Sequence, residues 1–133
     1  MLERSVGLLH PGEMGAAVGA VLRAQGHRVV WASEGRSAET RARAEAAGLE
    51  DVGSPAEVAR SEVVFSICPP HAALEVADAA HAFQGIYVDA NAISPELARA
   101  VGGLQLRFVD GGIVGPPPNR PGTTRLYLAG GEA

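Results

Sequence analysis

Apolar positions recur along this chain with two different spacings, and the change from one to the other separates strands from helices. Ser5 to Leu9 (SVGLL) is a short apolar run that stops at His10-Pro11-Gly12, the pattern of a buried strand ending in a turn. Immediately afterwards Met14, Ala17, Val18, Val21 and Leu22 fall at i, i+3, i+4, i+7 and i+8, one face of a helix that ends near Gln25 with Gly26 as its stop. Arg28 to Ala32 (RVVWA) predicts a second strand, and Ser33-Glu34-Gly35-Arg36 the loop leaving it.

The alternation continues. Ser37 is placed to cap an alanine-rich helix through Ala47 that stops at Gly48, and Leu49 to Val52 has room only for a short strand. Ser54-Pro55-Ala56-Glu57 combines an N-cap serine, a proline at the first helical position and a glutamate at N3, which predicts a short helix. Glu62 to Ile67 reads as a strand broken by Pro69-Pro70, and His71 to Phe83 as a helix stopped by Gly85. Ile86 to Asp89 (IYVD) is a strand, Ser94-Pro95-Glu96 opens a helix carrying Leu97, Ala98 and Val101, and Leu106 to Asp110 (LRFVD) is another strand. The prolines between Gly111 and Gly122 predict an ordered irregular loop, and Thr124 to Ala129 (TRLYLA) a final strand. Six or seven strands separated by helices imply a doubly wound, mostly parallel α/β sheet of Rossmann-like type, with helices on both faces. In such sheets ligands bind outside the carboxyl ends of the strands, so the residues that follow strands are the candidates for chemistry.

Composition narrows the function classes. A chain of 133 residues suits one domain with a true core, and 47% hydrophobic residues exclude disorder. The net charge is −4, and the 11 basic residues are all arginines scattered along the chain, which argues against a nucleic-acid surface. Cys68 is the only cysteine, so no internal disulfide forms and a reducing, cytoplasmic setting is expected. The apolar run near the N-terminus is too short for a signal core or a membrane span, so no membrane association is expected. His27, His71 and His81 have no metal-ligand spacing, and no metal site is expected.

The turn after the first strand carries the main chemical signal. His10-Pro11-Gly12-Glu13-Met14-Gly15 places glycines at the second and third positions of the dinucleotide fingerprint, with histidine in the first. Gly12 would let the backbone approach a pyrophosphate, Gly15 would let the helix pack on the strand, and the N–H groups opening the helix would hold the anion. Both glycines could be turn residues and nothing more, but a strand before and a helical stripe after favour nucleotide binding. The His10 ring either covers the nucleotide or occupies the loop. About twenty residues past the glycines an acid usually binds the ribose 2′-hydroxyl and an arginine a 2′-phosphate. Glu34 therefore favours NAD, while Arg36 and Ser37 favour NADP, the cofactor expected here with NAD as the alternative. Arg36 as a solvated loop charge is the competing reading.

Three stretches, taken together, resemble a known family over nearly the whole chain. VGLLHPGEMG with GHRVVWASEGRS resembles the start of the NADP-binding domain of 6-phosphogluconate and 3-hydroxyisobutyrate dehydrogenases, the β-hydroxyacid dehydrogenase family. VVFSICPP and YVDANAISP are similar to its second segment, and FVDGGIVGPPP with GTTRLYLAGG to its third. The resemblance implies adenosine against Cys68, Pro69 and Pro70, and nicotinamide near Asn91. Asn91 and Ala92 replace the family's serine and threonine, and Val114, Gly115 and Pro116 stand where it has the serine-glycine-glycine that binds substrate. Only the backbone N–H groups of Val114 and Gly115 could then form an anion nest.

In that family a lysine on a second, all-helical domain is the general acid and base; this chain has no lysine. The resemblance thus implies the N-terminal part of a longer two-domain enzyme, an NADP-dependent oxidoreductase acting on a hydroxy acid or related CH–OH substrate. The alternative is a stand-alone, non-catalytic nucleotide-binding or interaction module. Apolar surface that a second domain would cover predicts a homodimer. Of the remaining polar candidates, Cys68 reads as an inert small hydrophobe, and Asp89 and Asp110 as carboxylates fixing the loops after their strands.

Overall fold

The computed structural model describes residues 2–81 and 83–133. The chain alternates β1 (Glu3–Leu8), α1 (Glu13–Ala24), β2 (Val29–Trp31), α2 (Ala38–Ala46), β3 (Glu50–Asp51), α3 (Pro55–Val58) and β4 (Ser61–Ser66). A 3-10 turn (Pro70–Ala72) leads into α4 (Ala73–Ala79), followed by β5 (Ile86–Asp89), α5 (Pro95–Gly102), β6 (Phe108–Val114) and β7 (Arg125–Ala129). The strands form one sheet ordered β3-β2-β1-β4-β5-β6-β7, parallel throughout except for the β6–β7 pair. The doubly wound, mostly parallel α/β fold expected from the sequence is the fold observed.

Alternation along the strands divides the core between the two faces. Leu8, Val29, Trp31, Ala44 and Leu49 pack together on one side. On the other, Val58, Val64, Tyr87 and Val101 pack with Ala77 and Phe83. Two helix starts follow their sequence signals: the Ser37 Oγ accepts from the Thr40 N–H at 3.1 Å, and the Ser94 Oγ accepts from the Leu97 N–H at 3.1 Å, with Pro95 opening α5.

Three elements differ from their sequence reading. The buried residues of α1 are Gly15, Ala16 and Gly19, while Val21 of the expected apolar stripe is exposed. The helix lies so close to the sheet that a Cβ on Gly19 would sit 2.7 Å from Leu49 Cδ2 and 2.8 Å from Leu8 Cδ1, so small residues occupy the contact and larger ones flank it. The helix expected over His71 to Phe83 ends at Ala79, with Phe83 turned into the core beyond it; Ala82, within that expected span, lies outside the described residues. The loop expected from Gly111 is strand as far as Val114: β6 starts at Phe108 and pairs antiparallel with β7, Gly111 opposite Leu128 and Val114 opposite Arg125. Adjacent glycines masked that strand. Gly111 is buried where a Cβ would lie 3.2 Å from the Asp89 carbonyl oxygen, so close backbone approach sets the residue type there.

No helix of the described residues is long and apolar enough to cross a membrane.

Candidate functional site

Strand order reverses between β1 and β4, whose outgoing chains lead to opposite faces of the sheet, and a cavity of about 860 Å³ opens at that point. His10 and Gly12 border it below β1, Glu34 and Arg36 below β2, and Cys68 and Pro69 below β4. Much of its lining is apolar, with Val58, Val76 and Phe83 among the residues that form it.

The α1 N-terminus faces this opening. Gly12 is its N-cap and has no side chain to satisfy the helix, so the N–H groups of Glu13, Met14 and Gly15 have no acceptor among the described residues. Gly12 has an ordinary backbone (φ −69°), and a Cβ there would meet nothing within 4 Å. Neither backbone conformation nor packing requires glycine at this position. The empty space, the open amides and the positive end of the helix dipole together make a cradle suited to a pyrophosphate. Gly15 differs: a Cβ on it would sit 2.6 Å from the His10 carbonyl oxygen. Pro11 is buried behind the turn.

The loop after β2 is held from below. The Asp51 carboxylate accepts the N–H groups of Ser33 at 3.2 Å and Gly53 at 2.9 Å; hydrogen bonding from Ser33, its side chain first, and then from the Gly53 N–H keeps its carboxyl below the usual range, and the Glu34 N–H donates to the Gly53 carbonyl at 3.0 Å. Glu34 and Arg36 are exposed at the mouth of the cavity on this anchored loop. The Ser37 hydroxyl is committed to α2, accepting from the Thr40 N–H and donating to Thr40 Oγ1 at 3.0 Å. Half-buried His10 is held below its ordinary pKa, by burial first and then by the Arg36 charge, so its ring is neutral at pH 7.

The residues expected at the nicotinamide and substrate end are less well gathered. Asn91 is buried and turned inward: its Oδ1 accepts from the Cys68 N–H at 2.6 Å and its Nδ2 donates to Ser66 Oγ at 3.1 Å. Asp89 is wholly buried, accepts from the Asn91 N–H through Oδ1 at 2.9 Å and leaves Oδ2 without a partner among the described residues; burial pushes its pKa up. Asp110 lies beside it in register on β6. Val114, at the end of β6, is 62% exposed and, with Gly115, does not border the cavity. The Cys68 thiol is half-buried and pushed up by burial, the condition of an unreactive thiol. Asp51 and Ser66 were not singled out in the sequence. Asp51-Val52-Gly53 carried a usable signal for the first, the Asx-turn pattern, whereas nothing marked Ser66.

A parallel sheet of this order, with an uncapped helix behind its first strand and a cavity at the reversal, defines a pyridine-nucleotide-binding α/β fold. The chain belongs to the family described as NADP oxidoreductase, coenzyme F420-dependent, which it matches over residues 5–92. No curated protein matches it. Among solved structures it is similar to a conserved protein of unknown function described as structurally similar to 3-hydroxyacid dehydrogenases, at 38% identity and TM-score 0.79, covering 84% of this chain and 44% of that one. An imine reductase from Streptomyces aurantiacus shares the fold at 22% identity and TM-score 0.71, over 94% of this chain and 47% of its own. So does prephenate dehydrogenase from A. aeolicus in complex with NAD+, at 20% identity and TM-score 0.68, over 84% and 42%. The chain spans less than half the length of each of these structures.

Proposed function

We propose that this chain is the NADP(H)-binding part of a two-domain oxidoreductase that transfers hydride between nicotinamide and a hydroxy acid or related CH–OH substrate. One observation carries the reading above all: Gly12 leaves open space, where neither fold nor packing asks for it, in front of three amides that have no acceptor among the described residues. In this reading Gly12 to Gly15 hold the pyrophosphate, Arg36 takes the 2′-phosphate at the cavity mouth, and the Cys68-Pro69 wall covers adenosine. Ser37 contributes less than Arg36, because its hydroxyl is used to cap α2. Glu34 is the residue that would favour NAD instead. Bound NADPH would supply the hydride, or bound NADP+ accept it; the chain's own residues bind the dinucleotide, orient it and, through the apolar lining of the cavity, keep water from its adenosine end.

The two-domain reading draws support from the solved relatives, which run to about twice this length. The absence of lysine from the chain favours a second reading, a nucleotide-binding module without turnover. The homodimer reading rests on β7, whose Leu126, Tyr127 and Leu128 are exposed; a monomer by light scattering across the micromolar range would contradict it.

Isothermal titration with NADPH and NADH tests the cofactor reading. Tighter binding of NADPH supports it, and no binding of either at millimolar concentration by folded protein ends it. Assay of the full-length gene product with hydroxy acids and with reduced coenzyme F420 then separates an enzyme from a silent module.

A further inference from the structure

We propose that Asn91 is a positioning residue and not a nucleotide ligand: its side chain locks the turn after β4 to the turn after β5 and so holds the Cys68-Pro69 wall of the cavity. The inference rests on the cofactor reading only for its effect on binding; the lock itself is a property of the free chain.

Both ends of the Asn91 carboxamide and its backbone N–H are engaged inside the protein. The carboxamide oxygen accepts the Cys68 N–H at 2.6 Å, its nitrogen donates to Ser66 Oγ at 3.1 Å, and the backbone N–H donates to Asp89 Oδ1 at 2.9 Å. The residue is 5% exposed, Ser66 and Asp89 are 0% exposed, and Asn91 does not border the cavity. A side chain so placed has little left to offer a dinucleotide.

The lock sits where the fold needs one. Ser66 and Asp89 are the last residues paired between β4 and β5, and one further backbone bond, Ala90 N–H to Ser66 carbonyl at 3.0 Å, carries the ladder past them. Beyond that the chains diverge. Pro69 and Pro70 have no N–H to donate, so the Cys68 N–H is the last backbone donor able to tie the turn after β4 to its neighbour. Asn91 takes it. Truncating Asn91 to alanine strands the half-buried Cys68 N–H and removes the donor from Ser66 together, a loss felt on the β4 side although the change is in the turn after β5.

The experiment compares Asn91→Ala, Ser66→Ala and Asp89→Asn with the parent chain, by amide hydrogen exchange of Cys68 against Val64 and Val88, and by titration with NADPH. Asn91→Ala should speed Cys68 exchange about tenfold or more, leave Val64 and Val88 unchanged, and weaken NADPH about tenfold. Ser66→Ala, at a residue too deeply buried to touch a ligand, should do the same to a smaller degree. Asp89→Asn keeps the oxygen that accepts the Asn91 N–H and should stay within about twofold of the parent. Weaker NADPH binding by Asn91→Ala with Cys68 exchange unchanged would make Asn91 a ligand and overturn the proposal. Equal acceleration at all three amides would overturn it too, since Asn91 would then matter only to global stability. If the parent chain binds no NADPH, the cofactor reading fails, and Cys68 exchange in the free chain still decides the lock.

Discussion

Gly12 and Gly15 stand in one turn and are glycine for different reasons, which mutation can separate. Gly12 faces open space with an ordinary φ, so Gly12→Val should cost only the cap preference, about 1 kcal/mol, while its side chain fills the cradle. NADPH affinity should fall at least tenfold in calorimetry with Tm lowered only slightly; retained affinity would place the phosphates elsewhere. His10 adds a pH dependence. Burial and Arg36 hold its folded-state pKa below the ordinary 6.5, so the unfolded chain binds more protons just below that pH. Its contribution to stability is present above pH 6.5 and lost as pH falls through the folded value. Denaturant titrations from pH 7.5 to 5 should show that slope, and His10→Asn should flatten it; an unchanged slope would mean another group titrates. At this scale the glycines and the loop acid and arginine were legible in sequence because each obeys a local rule. Asp51, Ser66 and the inward turn of Asn91 were not, because their partners lie on neighbouring strands that only the sheet brings together.

At the scale of elements, strands and helices could be read because buried strands are continuous apolar runs bounded by turn residues, and Ser37, Ser94 and Pro95 mark helix starts chemically. The failures share a cause. Where backbones approach closely, as α1 does to β1 and β6 to β5, the contact is made by Gly15, Gly19 and Gly111, which periodicity treats as gaps. Gly15→Ala is the direct test. Its methyl group would meet backbone, the His10 carbonyl oxygen at 2.6 Å, and cannot be relieved by a side-chain rotation. We expect a loss of about 1–3 kcal/mol in urea unfolding, from forced separation of α1 and β1. Stability equal to the parent chain would mean that the helix does not pack this tightly.

For the whole molecule, parallel pairing from β3 to β6 sends each strand's carboxyl end to one edge, and reversal of the winding between β1 and β4 opens the cavity there. The charges divide accordingly. At the opposite edge Glu3 sits between Arg28 and Arg60, and Arg28 also pairs with Glu50; these exposed pairs tie β1, β2 and β3 to the chain entering β4 and contribute little energy each. The cavity edge keeps its helix amides and Arg36 available instead. The central claim is that those amides receive a dinucleotide pyrophosphate, and titrating the isotopically labelled chain with NADPH while following backbone amide resonances tests it most directly. The account predicts that the amides of Gly12 to Gly15 shift most, with saturation, followed by those near Arg36 and Cys68. Saturating NADPH that leaves Gly12 to Gly15 unmoved would contradict it.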